Sequence, residues 1–125
     1  MKSPKQVQLA IANFDTRAPV FADVLEWHGV WCVTPFLEEA RGGRSVFASQ
    51  KFQVTHGPTG CKIPQPFHRL DLVHELARRL GAKFGKFGSG GSFGETKWKQ
   101  RPRGEELSLF IQQFVDDVTA GRVNP

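Results

Sequence analysis

Six cations, four aromatic rings and five glycines fall between Lys83 and Arg103, KFGKFGSGGSFGETKWKQRPR, against one acid, Glu95. Cations neutralise phosphates, flat rings stack on bases, and glycine lets a backbone follow an irregular polymer. Lys83 and Lys86 flank Phe84, and Lys97 and Lys99 flank Trp98, so these rings have charge within two residues. One base stacked on an exposed ring is worth about 1–3 kcal/mol. The pattern points to single-stranded DNA or RNA. Lys83, Lys86, Lys97, Lys99, Arg101 and Arg103 would hold phosphates, and Phe84, Phe87 and Trp98 would stack. Arg69, Arg78 and Arg79 extend the positive surface into a stripe that ends at Arg103. Electrostatic capture followed by stacking implies little sequence preference.

The same residues also describe a basic connector whose rings fold back onto a sheet, or an edge hairpin with GSGGS at its tip. Loops this long are usually functional or disordered, which fits either reading. An alternative function is a protein-interaction module, an inhibitor or accessory subunit. Its basic loop would order on an acidic partner protein while an acidic helix over 105–120 supports a homodimer.

Other chemistries fit less well. The run from Gly85 to Gly91 resembles a phosphate-binding loop in its first spacing, but Gly91 stands where that loop needs its lysine. His56, Cys61, His68 and His74 have no zinc-ligand spacing with known mechanics, so no metal or other cofactor is expected. Cys32 or Cys61 could meet a histidine once folded, yet neither carries a local signature of an activated thiol. The adjacent carboxylates Glu38-Glu39, Glu105-Glu106 and Asp116-Asp117 read as solubility and helix-end charge rather than a general acid/base couple. Binding, not catalysis, is the expected class.

Composition agrees with an acidic partner. The 125 residues carry a formal charge of +5, and residues 62–103 hold ten Lys/Arg against three Asp/Glu, a net of +7. Residues 104–125 carry a net of −3, so the positive field is concentrated just before the C-terminal segment. Length suits one domain over residues 1–125, and eleven Phe with three Trp can fill its core in large units. The early apolar run VQLAIANF is too short and too interrupted for a secretory signal, and no stretch approaches a membrane span. A cytoplasmic protein with reduced thiols is expected, with a Cys32–Cys61 bridge as the other outcome.

Positioning these groups falls to strands first and helices second. Val7, Leu9 and Ile11 alternate as a half-buried strand over 7–14. A strand from about Val24 would place Trp27, Trp31 and Val33 on one face. Phe52, Val54 and His56 share a face of the next strand, with His56 bonding to the turn Gly57-Pro58-Thr59-Gly60. That turn returns the chain through Cys61-Lys62-Ile63. Leu70, Val73, Leu76, Ala77 and Leu80 then mark a helix capped at Gly81. Leu107, Phe110, Ile111, Phe114 and Val118 mark a second helix stopped by Gly121. The expected fold is α+β: an antiparallel meander of three to five strands, two C-terminal helices on one face, and a basic loop or hairpin over 82–104 between them.

Overall fold

A computed structural model describes residues 4–10, 21–39, 46–63, 67–91, 93–94 and 98–123. Its strands are β1 (Gln6–Gln8), β2 (Phe21–Asp23), β3 (Glu26–His28), β4 (Trp31–Glu39), β5 (Val46–His56) and β6 (Cys61–Lys62). Helices α1 (Leu70–Phe84) and α2 (Gly104–Thr119) follow, with a 3-10 turn at Trp98–Gln100 between them. The antiparallel pair β1–β2 stands apart from a four-stranded antiparallel meander in the order β3-β4-β5-β6. The expected α+β architecture, helices packed on the sheet, is the one observed. The second half of the strand expected over 7–14, residues 11–14, lies outside the described residues.

Alternation along the strands sorts side chains to two faces. Trp31, Val33 and Val54 point to the helices, where they meet Val73, Leu76, Ala77, Leu80 and Phe84 of α1 and Leu107 and Phe114 of α2. Burying each such side chain is worth roughly 1.5–3 kcal/mol before the entropy of ordering is subtracted. Cys32 points the other way and packs with Val7, Leu9 and Ala22 of the β1–β2 pair. Trp27 joins that second cluster, so it does not share a face with Trp31 as expected. The cause is the turn at Gly29, which pairs Trp27 with Cys32 across the hairpin and His28 with Trp31. Parity is counted afresh after a turn.

Helix α1 also departs from its expected end. Gly81 lies inside it, and the helix runs to Phe84. A side chain at Gly81 would put Cβ 2.5 Å from the Cβ of His28, so this glycine marks a close approach to β3 rather than a stop. Beyond it the last carbonyls of α1 find tertiary donors. Arg103 Nη1 donates to the Lys83 carbonyl at 3.1 Å and Trp31 Nε1 to that of Phe84 at 2.9 Å. The Val30 amide donates to the carbonyl of Gly85 at 2.9 Å. Unpaired helix-end carbonyls are thereby satisfied by the sheet and the loop, which ties the basic segment to the core. Helix α2 keeps the expected stripe, and Gly121 follows it at φ +73°.

Candidate functional site

The segment after α1 is held down rather than free-standing. Its described residues form turns over 85–90 and the 3-10 turn, with no strand among them. Phe87 is buried and Phe84 fully so, within the cluster that contains Trp31. Trp98 is half-buried, with its ring 5.7 Å from that of Trp31 and 5.0 Å from that of His56. Its indole N–H has no hydrogen-bond partner among the described residues. Stacking on bases is therefore closed to Phe84 and Phe87, because apolar rings next to an open sheet face gain more by completing the core. Phe93 is the exposed ring of the segment, at 52%.

His56 anchors this arrangement from below. Its Nε2 lies 2.7 Å from the Phe87 carbonyl and its Nδ1 2.9 Å from the Thr59 hydroxyl. A carbonyl only accepts, so Nε2 carries the proton and donates, and in the neutral ring Nδ1 accepts from Thr59. The ring thus bonds the turn through a side chain; the backbone bond runs from the Gly60 amide to the His56 carbonyl at 2.7 Å.

Over this floor, Lys83, Lys86, Arg101 and Arg103 converge on a groove of about 650 Å³. Among the described residues, the rest of its lining is Gly81, Ala82, Phe84, Gly85, Phe87, Gly88, Ser89, Gly90 and Pro102, with no carboxylate. Of the four glycines in the described lining, Gly90 faces open space, whereas a Cβ at Gly81, Gly85 or Gly88 would meet His28, the Gly81 carbonyl or the His56 ring. Lys97 lies outside the described residues, and of Lys99 only the backbone is described.

The other arginines do not join the groove. Arg69 precedes α1 at its N-terminus, a helix length of about 20 Å from the groove. It bonds Asp71 at 2.7 Å. Arg78 and Arg79 both reach Glu75, at 2.7 and 3.4 Å, and the Arg79 guanidinium also lies 5.1 Å from the Phe114 ring centre. Hydrogen bonds from these arginines hold Asp71 and Glu75 below the usual carboxylate range. The expected stripe from Arg69 to Arg103 is broken by acids that sequence distance alone did not pair.

Nucleophilic chemistry finds little support. Cys32 and Cys61 are not joined by a disulfide. Cys32 is fully buried on the face away from His56, and burial pushes its thiol up to about 12. In the native protein Cys61 will react with a thiol reagent while Cys32 stays protected until denaturant is added, as mass spectrometry of the labelled chain will show. The folded thiol stays protonated above about 9, where the unfolded thiol ionises. Its contribution is fully present below that pH and is lost as pH rises toward about 12. Urea unfolding of a Cys32→Ala variant will show a shallower alkaline decline than the native sequence.

Comparison of the chain with protein-family models, with curated proteins and with solved structures returned no match. Among the described residues, no helix is long and apolar enough to cross a membrane.

Proposed function

We propose that this protein binds single-stranded DNA or RNA along the groove beside the C-terminus of α1, chiefly through phosphate contacts. One observation carries the reading: four cations from two chain segments converge on a concave surface with no acid among its described lining residues. A phosphate chain fits such a surface because each neutralised phosphate releases condensed counterions. With Phe84 and Phe87 committed to the core, charge does most of the work. Weak sequence preference follows, because phosphates carry no base identity.

Anisotropy of a labelled oligothymidylate, titrated with the intact chain over a range of salt, tests this. The native protein will bind at low salt and lose affinity steeply as salt rises. A Lys83→Ala/Lys86→Ala variant will flatten the log–log salt slope by about 1.4, since each single-strand phosphate contact contributes roughly 0.7. Absence of binding at low salt removes the proposal. A nuclease-resistant complex with an acidic protein would move the groove to the interaction-module reading.

A further inference from the structure

Glu26, His28 and His74 are separated in sequence and meet where α1 crosses the edge strand β3. Glu26 and His28 stand two residues apart on that strand, so both point to the same face, while Trp27 points to the other. His74, in the first half of α1, arrives opposite them. Its Nε2 lies 2.7 Å from Glu26 Oε2, and His28 Nε2 lies 3.2 Å from Glu26 Oε1. The imidazole centres are 5.5 Å apart, and one ligand atom from each of the three residues lies within 4.8 Å of the others. Gly81, seven residues after His74 on the same helical face, lets the helix come this close to His28.

His28 Nε2 makes this more than an ion pair across two elements. It is buried yet has no hydrogen bond among the described residues, because the Glu26 oxygen at 3.2 Å is poorly aligned with it. Burial without a partner is costly for a polar atom, and a bound cation would give this nitrogen one. Glu26 and His74 are both more than 40% exposed on their side chains, so an ion has access from solvent.

We infer that Glu26, His28 and His74 form a binding site for a divalent transition-metal ion such as Zn²⁺. Two imidazoles with one carboxylate suit zinc and its neighbours, whereas Mg²⁺ and Ca²⁺ require mostly oxygen donors. Tetrahedral bonds of about 2.0–2.1 Å put donor atoms roughly 3.3 Å apart. The present spacing reaches that with small adjustments of the exposed Glu26 and His74 side chains. Three protein donors leave a fourth position to water or another ligand, as in zinc sites that do more than hold a fold together.

Chelator-treated full-length chain, titrated with Co²⁺ and separately with Zn²⁺, tests the site. One equivalent of Co²⁺ will bind with the intense visible absorption of a four-coordinate ion, and Zn²⁺ will displace it and raise Tm. His74→Gln and Glu26→Gln, changes at half-exposed positions, will keep the native circular dichroism. Loss of a direct ligand will weaken Co²⁺ binding by more than the 10–100-fold typical of supporting residues. His68→Gln, outside the cluster, will leave binding unchanged. Failure to bind one equivalent, or equal binding by the native chain and the His74→Gln variant, overturns the inference.

Discussion

Replacing His56 with alanine will destabilise the fold by about 3–5 kcal/mol, a large share of the roughly 5–15 kcal/mol that such a domain possesses. The ring is completely buried, with its centre 4.8 Å from that of Trp31 and 5.0 Å from that of Trp98. Alanine would open a cavity between two indoles and take from the Phe87 carbonyl its His56 donor, worth about 1–3 kcal/mol if left without a partner. The loop over 85–90 would lose its main polar tether to β5. Urea unfolding followed by tryptophan fluorescence measures the effect. His56→Phe separates its parts, because it fills the space but still abandons the carbonyl, and it will fall between alanine and the native sequence. An alanine variant within 1 kcal/mol of native would show that His56 does not seat the loop, and a phenylalanine variant equal to native that ring packing, not hydrogen bonding, does.

Gly29→Ala will be nearly as damaging, at about 3 kcal/mol or more, for a reason that has little to do with side-chain burial. Gly29 sits at φ +63°, where an L-residue costs roughly 1–2 kcal/mol. An added Cβ would also lie 2.4 Å from the Gly85 oxygen and 2.6 Å from its Cα, both backbone atoms that cannot swing aside. Relief requires α1 to draw back from the β3–β4 turn and surrender the bond from the Val30 amide to Gly85. Gly121→Ala is the matched control. Its φ is +73° but nothing lies within 4 Å, so it carries the dihedral cost alone. The difference between the two variants in chemical denaturation isolates the contact. Equal effects would mean the helix yields freely.

Local signals carried most of the architecture. Alternation in 46–56, the Gly57–Gly60 turn and the apolar stripes of both helices each depend on near neighbours, and the observed elements follow them. What failed depended on contacts between distant segments. Gly81 looked like a cap because a lone glycine near the end of a helical stripe usually is one; only the position of His28 reveals a crossing. Trp27 and Trp31 share a face only if one strand runs through both, and the Gly29 turn between them resets the parity. Phe84 and Phe87 looked like stacking rings because their flanking lysines are visible in sequence, while the open sheet face that receives them is not. The Glu26–His28–His74 cluster had a faint signal in Glu-x-His at strand spacing. Its third member comes from 46 residues further along, across α1.

Arg103 has a role that its place among the groove cations hides. It is the one non-glycine residue at positive φ among those described, at +67°, immediately before α2. Its guanidinium bonds Glu106 at 2.8 Å and lies 4.5 Å from the ring centre of Phe84 as well as reaching the Lys83 carbonyl. Lysine could match the charge but not this flat, forked set of contacts. An anion that recruits Arg103 must therefore compete with a resident carboxylate, making its arrival a substitution at an occupied partner rather than a simple addition. The junction between the two helices would register that exchange directly, giving an occupied groove a mechanical link to the packing beneath it.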